Sequence, residues 1–281
     1  MLSIKVKDDD MDKNLRIIVF GAHPDDCDIR VAGTAALWAQ AGHHVQFVSL
    51  TNGDAGHQTM AGAALAQRRR EEAQAAGRML GVEYVVLDNH DGELMPTLEN
   101  RRAVIKLIRE HRPHLVLGPR SFDYHPDHRY AAILVQDAAY MVTVPNIAAH
   151  VEHLPKNPIF MYVNDHFAKP YPFTPDVVVA IDAVIDQKIK AMACHTSQFF
   201  EWLPYNSGVL QEVPHGEAER FTWFHNRTAQ WLSRDTERFR SHLVERYGQE
   251  RAGQIRFAEA FEICEYGAQP TQDDLQQLFP L

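Results

Sequence analysis

Residues 17–28 read Ile17-Ile18-Val19-Phe20-Gly21-Ala22-His23-Pro24-Asp25-Asp26-Cys27-Asp28, and the first four decide the fold. An unbroken run of β-branched and aromatic residues offers no solvent face. It suits a strand covered on both sides, as in a parallel sheet. Gly21 ends the run, and a histidine, a proline and two aspartates follow at once. Working outward, residues 31–41 read as a helix that stops at Gly42, a fitting C-cap. Residues 45–50 form a second strand closed by Asn52-Gly53, and the alanine- and arginine-rich 63–80 a second helix closed by Gly81. A strand at 84–87, a helix at 100–111 before Pro113, and a strand at 115–117 running into Gly118-Pro119 complete the series. This alternation predicts a Rossmann-like, doubly wound, mostly parallel α/β sheet with helices on both faces.

Beyond residue 150 the pattern is less regular. Strands are expected at 159–163 and 177–181, a helix at 186–194, and a helical region over 217–247. Residues 257–264 read as a terminal strand, although their apolar-polar alternation is poor. No repeat or flexible linker interrupts the chain. The expected organisation is a catalytic core over 14–200 and a C-terminal extension over 201–281 packed on the same domain.

Composition narrows the function classes. The 281 residues, 45% hydrophobic and 23% charged, can bury a core without disulfides or a structural metal. Any metal site is therefore free for chemistry. A formal net charge of −9 argues against a nucleic-acid partner, which needs a basic stripe. Cys27, Cys194 and Cys264 are odd in number, far apart and lack C-x-x-C spacing, which excludes a cysteine framework and points to a reducing cytoplasm. Residues 1–13 are charged and loosely organised, with no apolar core of a signal peptide. No apolar run approaches the length of a membrane span.

The chemistry gathers in two tetrapeptides, His23-Pro24-Asp25-Asp26 and His125-Pro126-Asp127-His128. One follows strand one and the other follows strand four after a short loop. Proline holds each preceding histidine out of the α region and suits a first helical position, so each motif is expected to open a helix. In a sheet of order 3-2-1-4-5, strands one and four are neighbours whose outgoing loops diverge, and ligands bind in the crevice they leave. His23, Asp26 and His128 supply two imidazoles and a carboxylate, a usual ligand set for catalytic zinc, one per chain. Asp25, pointing away from Asp26 on the turn, is placed as general base. His125 is assigned to the oxyanion or to the leaving amine, with Asp127 orienting its ring. The remaining histidines, such as His43, His44, His111 and His114, read as surface or capping residues.

At these residues the sequence resembles the LmbE-like (PIG-L) de-N-acetylase family. The likeness runs over roughly residues 15–200, through Gly21–Asp26, Thr51-Asn52-Gly53-Asp54-Ala55-Gly56, Arg69-x-x-Glu72-Ala73, Asp91-Gly92, Arg112-Pro113, Tyr124–His128 and His195-x-Ser197-Gln198. The resemblance implies zinc on His23, Asp26 and His128, Asp25 as base and His125 as acid or oxyanion donor. It also implies substrate contacts from Arg69, Asp91 and His195, although Arg69, between Arg68 and Arg70, reads equally as part of a solvated helix face. The implied substrate is an N-acetylated sugar or its conjugate, and the implied assembly a trimer or hexamer. Cys27 or Asp28 stands where many members carry glutamate, and Arg30 where a small residue is usual.

Two rival readings share these residues. A two-histidine, one-carboxylate set also holds non-haem iron, but the β-rich scaffold expected for that chemistry is missing from the pattern. A non-catalytic Rossmann-like metal- or nucleotide-binding module lacks G-x-G-x-x-G after strand one and has no use for Asp25 or His125.

Overall fold

The computed structural model describes residues 14–279, so the expectation for residues 1–13 lies outside the described residues. Strand and helix alternate through β1 (Arg16–Gly21), α1 (Asp26–Gln40), β2 (His44–Thr51), α2 (Gly62–Leu80), β3 (Glu83–Asn89), α3 (Leu98–His111), β4 (Leu115–Gly118) and α4 (Pro126–Met141). Then come β5 (Ile159–Val163), β6 (Val177–Ala180), α5 (Ile185–Ala193), a π-helical turn at Ser197–Trp202 and the short α6 (Leu203–Asn206). The chain continues through α7 (Glu217–Glu237), α8 (Arg240–Tyr247), α9 (Gln249–Gln254), β7 (Ala258–Gly267) and α10 (Gln272–Leu278). Among the described residues no helix is long and apolar enough to cross a membrane.

One seven-stranded sheet runs in the order β3-β2-β1-β4-β5-β7-β6. The pairs β3–β2, β2–β1, β1–β4 and β4–β5 are parallel, and β7 lies antiparallel to both β5 and β6. The apolar run in β1 is explained by its neighbours. Side chains alternate across a strand. Ile17 and Val19 pack with Val31 and Ala35 of α1 and Ala73 and Ala76 of α2. Ile18 and Phe20 pack on the opposite face with Val104 and Ile108 of α3 and Leu134 and Ala138 of α4. Each such fully buried aliphatic or aromatic side chain stabilises the fold by about 1.5–3 kcal/mol.

The last strand is internal. β7 separates β5 from β6, so the end of the chain is part of the main sheet. Its poor alternation has a physical cause: the buried Glu259 interrupts the apolar face of β7. The Glu259 carboxylate accepts from the backbone amides of Gly33 and Thr34 in α1 and from Lys188 Nζ at 2.6 Å. Lys188 also donates to the Ile29 carbonyl. This buried pair bolts α5 and β7 to α1, and removing one partner from such a pair costs about 3–5 kcal/mol. The helical region over 217–247 divides at Arg238 and Phe239 into α7 and α8.

Candidate active site

β1 and β4 lie side by side, and both histidine motifs leave their carboxyl ends. The motifs differ in local structure. In the first, the Asp25 amide donates to the His23 carbonyl in a tight turn, and α1 begins only at Asp26. Pro24 therefore precedes the helix and is not its first residue, contrary to the expectation for this motif. The Asp26 carboxylate folds back to accept from the Ala22 and His23 amides, both at 2.8 Å. Gly21 makes room for this, since a Cβ there would sit 2.7 Å from the Asp26 Cβ. In the second motif His125 is the N-cap and Pro126 is the first helical residue. His125 Nδ1 accepts from the Asp127 amide at 3.2 Å.

Three donor atoms converge between the motifs. His23 Nδ1 lies 3.1 Å from His128 Nε2, Asp26 Oδ2 lies 3.4 Å from His128 Nε2, and the third distance, from Asp26 Oδ2 to His23 Nδ1, is 3.6 Å. A tetrahedral cation with ligand bonds of about 2.0–2.1 Å sets its donors about 3.3 Å apart. The spacing fits. The outer nitrogens fit as well: His128 Nδ1 faces Asp123 at 3.1 Å, and His23 Nε2 faces Asp91 at 3.1 Å and Asp127 at 3.4 Å. A carboxylate behind a ligating imidazole fixes its ring and leaves the inner nitrogen free for metal. Looser groupings, within 4.8 Å, also join His23 to His125 and His128, or to Asp91 and Asp127.

Electrostatics describe the same centre. Burial opposes the protonation of His23, but Asp127, Asp26 and Asp91 raise its pKa well above the ordinary value. Burial likewise opposes a charge on His128, and Asp26 and Asp123 raise it nonetheless. Asp26 is held far below the usual carboxylate range by the His128 and His23 rings, against its own burial. Carboxylates that hold these protons would hold a cation in their place. His125 goes the other way: burial, then the neighbouring His23 and His128, push its pKa down. With Nδ1 accepting a backbone hydrogen bond, a neutral His125 carries its proton on Nε2.

Asp25 is buried beside the centre. Its Oδ2 accepts from Gln198 Nε2 at 3.1 Å, and its Oδ1 lies 3.4 Å from Arg69 Nη2. Arg69 is only 1% exposed, which decides between the two sequence readings: it lines the cavity and is no solvated face. It lies against Gly53, whose φ of 71° and lack of a Cβ let the guanidinium approach. Asp91 lines the same cavity and backs His23.

Two expected roles need correction. The Asp127 side chain does not orient His125: its carboxylate accepts from the Gly92 and Leu94 amides and stands behind His23, because the helical register of the second motif turns it into the core. His195 does not line the cavity. It is fully buried under α1, with Nε2 3.0 Å from Asp28, which raises its pKa although burial opposes this. Its segment matters through its neighbours: Thr196 and Ser197 donate to Glu72, and Gln198 grips Asp25. The sequence blocks around Arg69 and His195 contain these residues, but only the fold pairs Glu72 with Ser197 and Gln198 with Asp25. Asp123 was also missed, although its place two residues before His125 is that of a turn aspartate, and its Oδ1 accepts from the His125 amide.

A cavity of about 730 Å3 opens over the centre. Its outer wall includes Trp202 and Leu203, which follow the Gln198 segment, and Trp231 of α7. The π-helical turn that carries Trp202 is tied through Glu201 to the loop after β2, at His57 2.8 Å away, and to α2, at Arg68 2.9 Å away.

Residues 18–139 match the PIG-L model, described as GlcNAc-PI de-N-acetylase, and so span both motifs. A diacetylchitobiose deacetylase from Thermococcus kodakarensis is 32% identical over 205 residues, 68% of this chain and 74% of that protein. The chain belongs to the PIG-L family. A 4-oxalmesaconate hydratase from Pseudomonas putida is 27% identical over 202 residues, covering 69% of this chain and 78% of that protein. Within the PIG-L family the fold extends past the matched residues. N,N'-diacetylchitobiose deacetylase from Pyrococcus horikoshii superposes with a TM-score of 0.66 at 24% identity, over 93% of this chain and 89% of that one. At that identity the likeness speaks to the fold.

Proposed function

We propose that this protein is a metal-dependent N-deacylase that removes the acetyl group from an N-acetylglucosamine-type sugar or conjugate. One observation carries the reading: Asp25 and His125 flank a tetrahedrally spaced donor set inside a cavity, and neither is needed merely to hold a cation. A non-catalytic metal- or nucleotide-binding module leaves both residues without a role. The 32% identical relative, a deacetylase, supports the same reaction class. Trp202 and Trp231 give the cavity flat apolar faces that suit the C–H face of a sugar ring.

His23, Asp26 and His128 would hold the cation, read as one zinc per chain from the two-nitrogen, one-oxygen donor set. A cation held there would supply Lewis acidity, which would make water a nucleophile near neutral pH and polarise the acyl oxygen. Asp25, positioned by Gln198 and Arg69, takes a proton from the attacking water as the new C–O bond forms. The Nε2–H of neutral His125 donates to the developing oxyanion. Collapse breaks the C–N bond, and the proton held on Asp25 passes to the departing nitrogen. One amide and one water become one carboxylate and one protonated amine. Asp127 and Asp123 hold His23 and His128 in register from behind.

The three free cysteines support a reducing, cytoplasmic setting. A trimer or hexamer is the assembly that the family resemblance carries, and sizing by light scattering tests it. The reaction is tested by an amine-release screen of N-acetyl sugars and conjugates with the zinc-loaded protein. Equal yields of acetate and free amine are expected. Hydration of an unsaturated acid with no amine release would overturn the reading and place the protein beside its hydratase relative.

A further inference from the structure

The charged groups of the cavity wall are almost all paired. Asp25 faces Arg69, Asp26 and Asp123 face His128, Asp91 faces His23, and Arg120 grips Asp165 with bonds of 2.6 and 2.7 Å. Arg30 is the exception. It lines the same cavity, half-buried, and among the described residues it has no carboxylate partner and no hydrogen bond. Its positive potential falls on His166, which also lines the cavity: burial lowers the pKa of that ring, Asp235 raises it, and Arg238 and Arg30 lower it. The carboxylates that act on His166, Asp235 and Asp165, are themselves held by Arg238 and Arg120.

Arg30 follows Asp26 by one helical turn, which puts the two side chains on one face of α1 with Cβ atoms about 6 Å apart. A guanidinium is a planar fork matched to carboxylate and phosphate oxygens, and one left half-buried without a partner gains most from such a ligand. We propose that Arg30 is an oxyanion subsite, and that the substrate carries a carboxylate or phosphate on the ring bearing the acyl amide or on its neighbour. The nature of the amide rests on the deacylase reading; the subsite does not.

Binding is measured by calorimetry on the metal-loaded protein with three amines: glucosamine, glucosamine 6-phosphate, and glucosamine bearing a lactyl carboxylate at O3. The better bound anion shows whether phosphate or carboxylate is the natural group. At least one is expected to bind about 10–100-fold more tightly than glucosamine, as for charge-assisted hydrogen bonds. Arg30→Gln should abolish that preference and leave glucosamine binding unchanged, while Arg30→Lys keeps part of it. A thermal melt of each variant checks that it is folded. Equal binding of all three amines by the wild type, or a preference that survives Arg30→Gln, overturns the subsite. Arg30-dependent binding with no amine release from any of the matching N-acetyl compounds upholds the subsite and overturns the deacylase reading instead.

Discussion

The two His-Pro-Asp tetrapeptides begin alike and end in different work. In the first, α1 starts at the fourth residue, so the third, Asp25, stays in the cavity wall. In the second, α4 starts at the proline, and the third residue, Asp127, turns into the core with no exposed surface. The fourth residues, Asp26 and His128, nevertheless meet at 3.4 Å. A shift of two residues in helix register thus leaves one aspartate facing the cavity and turns the other into a brace behind His23. Local sequence alone does not separate them, since both tetrapeptides read His-Pro-Asp.

Substitutions at matched positions can break this comparison. The largest effect is expected for Asp25→Asn, which removes the base and no ligand: kcat should fall by at least about 10²-fold with metal content unchanged. Steady-state kinetics with metal analysis checks this, and an Asp25→Asn protein that loses its metal would make Asp25 a ligand. His125→Ala should lower kcat and kcat/KM together by about 10²–10³-fold with little change in KM, as for a group that acts on the developing oxyanion. An unchanged kcat would remove His125 from the chemistry. Asp127→Asn should act more weakly and by another route. It loosens the loop at Gly92 and Leu94 and the back of His23, so metal affinity should fall about 10–100-fold, as for a group behind a ligand. A kinetic loss as large as that of Asp25→Asn, with metal affinity intact, would erase the distinction between the two aspartates.

The contrast between the halves of the chain shows what was legible beforehand. The four parallel strands through β4 were readable because each is a local apolar run ended by a turn residue, as at Ile17–Phe20 before Gly21. The convergence of His23, Asp26 and His128 was readable because neighbouring strands bring their loops together whatever the details. β7 was only half readable: Glu259, which interrupts its apolar face, meets Lys188 across 71 residues of sequence and α1 across more than 200. His195 and Asp127 misled for the same reason. A histidine or aspartate in a conserved-looking block can serve the substrate or the scaffold, and burial, which is a property of the fold, decides which. Arg30 stood out in the sequence only as a departure from the family's usual small residue, since its lack of a partner is visible only once the other charges in the wall have been assigned.

The proposed mechanism requires His23, Asp26 and His128 to hold a cation that Asp25 and His125 do not hold. Metal content per folded chain after zinc loading and desalting tests it most directly. The wild type and Asp25→Asn should each retain about one zinc, and Asp26→Ala and the double variant His23→Ala/His128→Ala should retain none. Stoichiometric zinc in the double variant would contradict the ligand assignment and the mechanism built on it.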